Sequence, residues 1–383
     1  MFNLDKRVYL LTAISFVVGM VELIIGGILD LIAADLNVSI GRAGLLITFF
    51  ALVFGISGPI LLYMTGKIDR KRVTLVALFV FFVGNIVAIS STTYSLLLLS
   101  RIISAASGAL LVVLCLTLAS YISEPEYRGR ALGLVIMGIS GSVVLGLPIG
   151  VSLGHMFGWR SPFILVAILT IVLVVSVHLF FGQVPTQPPM SLRKQLKSLN
   201  DKKIIFAQLI TFFFLAGHFT LYGYLTPFVK TTMDFDGTWI TIVYFVYGVA
   251  AVTGGGLGGV SADKFGVRRT LLTVIALLGV CLLVMPFVSF VFFWLVLVIW
   301  GVLSWAITPP VQSHLIKVAP ETSDIQQSLN NAALHLGIAF GTFIGSIIAD
   351  LLSVKQNAFI GVLFVILALG SAFISLQKER KVA

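Results

Sequence analysis

Three side chains able to carry a proton or a charge lie inside long apolar stretches, where such groups are expensive: Glu22, Arg101 and His218. Glu22 stands within Val8 to Leu29, 22 residues that are otherwise apolar, small or hydroxylated. At about 1.5 Å per residue this stretch spans roughly 30 Å, the thickness of a bilayer's hydrocarbon core. Steps of three or four residues from Glu22 meet Ser15, Gly19 and Gly26, so the carboxyl group shares a narrow face of small residues. Such a face looks into protein, either onto a water-filled path or into a helix–helix hydrogen bond. His218 titrates near neutral pH when unperturbed, so it suits proton relay or a hydrogen bond to a solute; a satisfied packing role is the alternative. Tyr222 follows His218 by four residues and shares its face, and Trp300 and Trp305 lie in a later apolar stretch. Flat rings suit stacking on a planar solute or a cation, and serve equally in helix packing or an interfacial belt. Asn330, Asn331 and His335 head another stretch, placed to bind a solute or to tie helices.

The elements that position these groups are membrane helices. The 383 residues are 58% hydrophobic and 10% charged, with a mean hydropathy of +1.10. Soluble domains carry about 25% charged residues, so the chain is an integral membrane protein. Apolar stretches bounded by charges or turn residues give twelve spans, near 8–29, 43–63, 73–92, 95–121, 131–154 and 161–182, then 204–229, 238–261, 270–289, 291–316, 327–349 and 356–376. Residues 183–203, with Pro185, Pro188 and Pro189 followed by Arg193, Lys194, Lys197, Lys202 and Lys203, form the one long polar segment. It divides the chain into bundles at 1–182 and 204–383, joined by a cytoplasmic loop.

The formal charge of +10 would suggest a nucleic-acid partner in a soluble chain. Here twenty of the 25 Lys and Arg fall on the side that holds the termini, against Arg42, Arg160, Lys230 and Lys355 on the other. That asymmetry places both termini in the cytoplasm and removes the nucleic-acid reading. Lys6 and Arg7 precede the first apolar stretch without a cleavage-type ending, which marks a retained span. Cys115 and Cys281 sit in apolar spans and imply no disulfide framework.

The halves repeat each other. Gly66-Lys-Ile-Asp69-Arg70-Lys-Arg72 follows the second span, and Asp263-Lys-Phe-Gly266-Val-Arg268-Arg269 follows the eighth. The fifth span carries small residues at every fourth position, Gly138, Ser142, Gly146, Gly150 and Gly154, with Pro148 among them; the eleventh has Gly337, Gly341 and Gly345. This spacing puts each set on one helix face, where backbones approach closely. Gly254 to Gly259 satisfies G-x-G-x-x-G but ends an apolar helix, without the preceding strand that a dinucleotide site needs. No phosphate loop, metal motif or clustered catalytic set appears, so neither an enzyme, a metal nor a cofactor is expected.

At these residues the chain resembles the major facilitator superfamily, over essentially its whole length. Asp263 to Arg269, preceded by Gly259, is similar to that family's signature loop; the first copy departs from it, with Gly66 where the family has Asp and Asp69 where it has Gly. Gly146-Leu-Pro148-Ile-Gly150 is similar to the fifth-helix motif of the family's antiporters, and Leu99-Ser-Arg101 to the fourth-helix motif whose Arg is associated with proton coupling. Within the family, Gly19 to Leu23, Ala216 to Tyr222 and Asp324 to Asn330 resemble bacterial purine base and nucleoside efflux pumps of the drug:proton antiporter type. The resemblance implies an all-α membrane protein of twelve transmembrane helices in two pseudo-symmetric six-helix bundles, working as a monomer in the bacterial cytoplasmic membrane. It also implies that the first, fourth, seventh and tenth spans line one cavity, into which Glu22, Arg101 and His218 face.

The expected function is proton-coupled efflux of small organic molecules, purines first and drugs or sugars second, driven by the proton gradient. Glu22 carries the proton, Arg101 tunes it or clamps backbone carbonyls, and His218 assists. A carboxyl group is drawn toward ionisation by a nearby cation and toward protonation by burial, so closure of a wet cavity can switch it. Tyr222, Trp300, Trp305, Asn331 and His335 are the candidate substrate contacts. Gly146, Pro148, Gly150, Asp69, Arg70, Asp263, Gly266 and Arg268 are the candidate gating set. A membrane sensor that keeps the fold without transport is the reading from another class.

Overall fold

The structure, a computed structural model, describes residues 5–182 and 201–377. Pro185, Pro188, Pro189, Arg193, Lys194 and Lys197 of the central segment, with the terminal Lys378, Arg380 and Lys381, lie outside the described residues. Among the described residues twelve helices are long and apolar enough to cross a bilayer: Arg7–Gly27, Ile40–Met64, Arg70–Ser90, Tyr94–Ile122, Arg128–Phe157, Ser161–Phe180, Lys202–Tyr222, Thr238–Phe265, Val267–Phe287, Phe290–Val318, Ile325–Leu351 and Gln356–Ser375. All twelve expected spans are therefore present, with ends moved by a few residues. The chain divides into two compact units, Met1–Met190 with Asp234–Phe245 and Ser191–Met233 with Val246–Ala383.

Polarity is arranged inside out. Val76, Phe79, Val172, Val291 and Phe292 are exposed, while Ser15, Asn85, Arg101, Gln208 and His218 are buried. Lipid is as apolar as leucine, so burying more apolar surface gives helices no drive to associate. They associate instead by close packing and by hydrogen bonds, and the small residues show where.

In the first unit the stripe on the fifth span lies against the first span. A Cβ on Gly138 would strike the backbone carbonyl of Thr12, one on Gly150 the side chain of Ile24, and one on Gly154 that of Ile28. Gly19 returns the arrangement, leaving room for the Ser142 hydroxyl. In the second unit Gly337 and Gly341 of the eleventh span meet the carbonyls of Phe212 and Ala216 on the seventh, and Gly345 lies over Thr220 and Tyr224. The Tyr224 hydroxyl donates to the Thr342 carbonyl at 2.8 Å across that seam. Gly254 and Gly258 of the eighth span meet the carbonyls of Val302 and Ala306 on the tenth. Within the run that mimics a nucleotide loop, Gly254 and Gly258 thus serve helix packing, while Gly255 and Gly256 face open space.

Prolines explain the interruptions. The ring of Pro148 excludes a bond to the carbonyl of Val144, and the helix widens into a π turn over Ser142–Gly146, with the Leu147 N–H bonded to the Ser142 carbonyl. In the tenth span Pro309 and Pro310 remove bonds to Trp305 and Ala306, and the helix breaks at Ile307 between Phe290–Ala306 and Thr308–Val318. The seventh span stops at Tyr222 and restarts as Leu225–Met233, where one helix over 204–229 was expected.

The two signature loops begin the next helix by different means. Gly266 adopts φ +85°, a left-handed turn open to glycine, and its carbonyl accepts the Thr270 N–H at 3.1 Å. Asp69, at the corresponding place, keeps φ −50° and accepts the Arg72 N–H at 3.1 Å through its side chain. The departure from the family pattern trades a glycine turn for a side-chain cap.

At one end of the first unit, Asp35 ties three loops together. Its Oδ2 accepts from Trp159 Nε1 and from Arg160 Nη1, each at 2.9 Å. Arg160 Nη2 reaches the Ser91 carbonyl at 2.7 Å, and the guanidinium lies 4.1 Å from the Trp159 ring centroid. The indole donor first, and then Arg160, hold the Asp35 carboxyl below the usual carboxylate range.

Two predictions follow from this packing. Gly341→Ala sets a methyl group against backbone that cannot yield, which should cost about 1–3 kcal/mol and lower the melting temperature. Gly370→Ala, on an open face of the twelfth helix, should leave it unchanged or slightly raised; equal effects at both sites would contradict the packing. Because Asp35 is more acidic folded than unfolded, its bonds stabilise fully above about pH 4 and fade as pH falls below it. The gap in melting temperature between wild type and Asp35→Asn should therefore narrow below about pH 4. A gap that stays constant with pH would rule out a charged Asp35 in the tie.

Candidate functional site

Glu22 lies on the first helix five residues before its end, half-buried, in the stretch where Gly19 lets the fifth helix approach. Arg101 projects from the fourth helix and is 1% exposed. Its Nη1 donates to the Val21 carbonyl at 3.0 Å, and its guanidinium carbon sits 4.1 Å from the centroid of the buried Phe50 ring. Glu22 and Arg101 interact electrostatically. Nε and Nη2 of Arg101 are buried with no hydrogen-bond partner among the described residues.

Arginine keeps its proton in proteins, whereas a carboxyl group exchanges its own. The arrangement is therefore a fixed positive charge, shielded from water, beside a group that can gain or lose a proton. The carbonyl bond expected as the alternative role of Arg101 is present in the geometry together with the electrostatic interaction with Glu22. One does not exclude the other: the bond to Val21 anchors the guanidinium one residue from the carboxylate.

In the second unit the seventh, eighth and tenth helices meet at His218, which is 3% exposed. Trp300 Nε1 donates to His218 Nδ1 at 2.9 Å, and Tyr247 Oη lies 3.1 Å from His218 Nε2. Tyr222 stacks on the imidazole with ring centroids 5.0 Å apart, and Tyr247 and Tyr222 meet at 4.6 Å. Trp300 and Phe219 approach the imidazole edge-on at 5.5 and 4.9 Å. The sequence identified His218, Tyr222 and Trp300. Tyr247 was missed, because its place in the eighth span carries no mark of which helix lies beside it.

The other candidates lie elsewhere. Trp305 is half-buried and outside this ring cluster, and Asn331 is exposed. His335 is buried and donates through Nδ1 to the Asn331 carbonyl at 2.8 Å, one turn back on its own helix. The neighbouring Asn330 does tie helices: its Nδ2 donates to Gln208 Oε1 and to Thr211 Oγ1, each at 2.8 Å. Gln208 Nε2 in turn reaches the carbonyl and the side-chain oxygen of Gln326, both at 3.1 Å. Gln208, a lone amide in an apolar span, was the readable signal for this network. Among the gating candidates, Arg70, Gly146, Pro148 and Gly150 are buried, whereas Asp263, Gly266 and Arg268 are exposed.

Comparison with known proteins agrees with this architecture. Residues 11–342 match the model of the Major Facilitator Superfamily. The chain is 32% identical to the MFS-type transporter YbcL of Bacillus subtilis, over 98% of this chain and 97% of that one. It is 26% identical to a probable sugar efflux transporter of Helicobacter acinonychis, over 95% and 93% of the two chains. Among solved structures, a bacterial homolog of the human lysosomal transporter Spinster superposes with a TM-score of 0.79 at 16% identity, covering 98% of this chain and 97% of that one. With a family match across most of its length and a relative matched almost end to end, the chain belongs to the Major Facilitator Superfamily of membrane transporters.

Proposed function

We propose that this transporter is a proton-coupled exporter of small, uncharged organic solutes, seated in the bacterial cytoplasmic membrane with both termini in the cytoplasm and acting as a monomer. The observation that carries the reading is the pair of Glu22 and Arg101: an exchangeable carboxyl group held beside a buried, permanent charge. A carboxylate beside a cation favours ionisation when water reaches it, and burial favours the protonated form. Alternating access that wets and dries Glu22 would bind a proton on one side and release it on the other, exchanging it for solute. The gradient supplies the drive, with no cofactor. The basic residues on the terminal side support the orientation.

The buried polar groups of the second unit support neutral solutes. His218, Tyr222, Tyr247 and Trp300 form one cluster and Gln208, Thr211, Gln326 and Asn330 another, and these described members are all without formal charge at neutral pH. Purine bases or nucleosides are the first substrates to test, on the short stretches around Glu22, His218 and Asn330 and on the ring cluster. Sugars are the second, favoured by the full-length similarity to proteins named as sugar efflux transporters.

The test is export of radiolabelled adenine, hypoxanthine and a panel of sugars from loaded cells, with and without an uncoupler. Wild type should export at least one class, and the uncoupler should stop it. Glu22→Gln should fold and show no more export than uncoupled wild type. Uncoupler-sensitive export by Glu22→Gln would remove Glu22 from the coupling step. Arg101→Gln should lose the Val21 and Phe50 contacts, at a cost of about 1.5–3 kcal/mol in stability, and change the pH dependence of any remaining export.

A further inference from the structure

We infer that Trp300 fixes His218 as the neutral tautomer with its hydrogen on Nε2, so that His218 serves as a hydrogen-bonded hub and not as a carrier of the coupling proton. The inference deepens the proton-coupled reading above and rests on it for its meaning in transport. Its geometry stands without it.

The argument is a count of donors. An indole nitrogen can only donate, and Trp300 Nε1 lies 2.9 Å from His218 Nδ1, so Nδ1 is the acceptor and carries no hydrogen. The single hydrogen of a neutral imidazole is then on Nε2, where it points at Tyr247 Oη at 3.1 Å. Histidine donates and tyrosine accepts. A second proton has only Nδ1 to occupy, where it would face the indole N–H, donor against donor. Charging His218 therefore requires the Trp300 contact to open.

The surroundings hold the ring in that orientation. Tyr222 stacks on the imidazole, Tyr247 lies parallel to it within 12°, and Trp300 and Phe219 close its edges at 73° and 85°. The ring nitrogens are spent on two different helices, so any rotation costs both bonds. Among the described residues in hydrogen-bond or ring contact with His218, the titratable groups are Tyr222 on its own helix and Tyr247 on the eighth; the tenth contributes Trp300. None of these is charged at neutral pH. Glu22 differs on each count: it is half-buried and it has a guanidinium beside it. Trp300 acts through His218, so it is a positioning residue, and the seventh, eighth and tenth helices are joined through a group that stays uncharged.

The test is the side-chain nitrogen spectrum of the full-length protein labelled with 15N-histidine in lipid nanodiscs, with His218→Gln identifying the His218 signals. In wild type these signals should show hydrogen on Nε2 and stay unchanged between about pH 5 and 8, the range in which free histidine titrates. Trp300→Phe removes the indole donor that holds Nδ1 bare, so the His218 signals should now show hydrogen on Nδ1 as well as on Nε2. Tyr247→Phe keeps the indole donor and should leave Nδ1 bare. Titration of His218 in wild type, a hydrogen on Nδ1 in wild type or Tyr247→Phe, or a Trp300→Phe spectrum that still places the hydrogen on Nε2 alone would each overturn the inference. Should Trp300→Phe fail to fold, wild type and Tyr247→Phe still decide it. The spectrum reads no transport, so a failure here is distinct from a failure of proton-driven export.

Discussion

A full positive charge is held out of water between the first and fourth helices, and much of the first unit is arranged around it. Arg101 has one carbonyl, one aromatic face and one carboxylate to offset its lost hydration. A buried charge of this kind is strongly destabilising once its partners are removed. Val21 and Glu22, adjacent on one turn, must therefore stay in register with Phe50 and Arg101. The glycine seam holds that register, because Gly19 and the stripe from Gly138 to Gly154 let the first and fifth helices touch at backbone distance. The site is thus stiff where the charge lies, and the exchangeable group sits next to it.

The second unit solves the same packing problem with different chemistry at its heart. Its eleventh helix meets the seventh through Gly337, Gly341 and Gly345, as the fifth meets the first. In place of a buried charge it buries neutral groups: an imidazole bonded at both nitrogens, and a chain of amides. Neutral hydrogen-bonded groups are cheaper to bury than charges and fix geometry equally well. The two units share a packing plan and bury different chemistry, charge in one and neutral hydrogen-bonded groups in the other.

Much of the fold was legible because membrane helices write their length and their seams directly into sequence. Twelve apolar stretches gave twelve helices, and the four-residue spacing of glycine marked the faces that meet. The expected tenth span runs through Pro309 and Pro310, as Phe290–Val318 does, but its break at Ile307 was not legible in hydropathy, which counts apolar residues and overlooks lost backbone bonds. The site was legible in part. Glu22, Arg101 and His218 stood out as ionisable groups in apolar runs, but their partners did not. Val21 acts through its backbone, Phe50 is one phenylalanine among 30, and Tyr247 meets His218 across a helix boundary that a linear pattern does not reveal. Of the other candidates, Asn331 is exposed and His335 bonds to the Asn331 carbonyl on its own helix, neither of which a linear pattern reveals.

Protons crossing the membrane in exchange for solute are the central claim, and proteoliposomes containing a pH-sensitive dye read them directly. Wild-type protein in vesicles preloaded with the exported solute should move protons inward as solute leaves, and Glu22→Gln should move none while still binding solute. Solute exchange without proton movement in wild type, or undiminished proton movement in Glu22→Gln, would contradict the account.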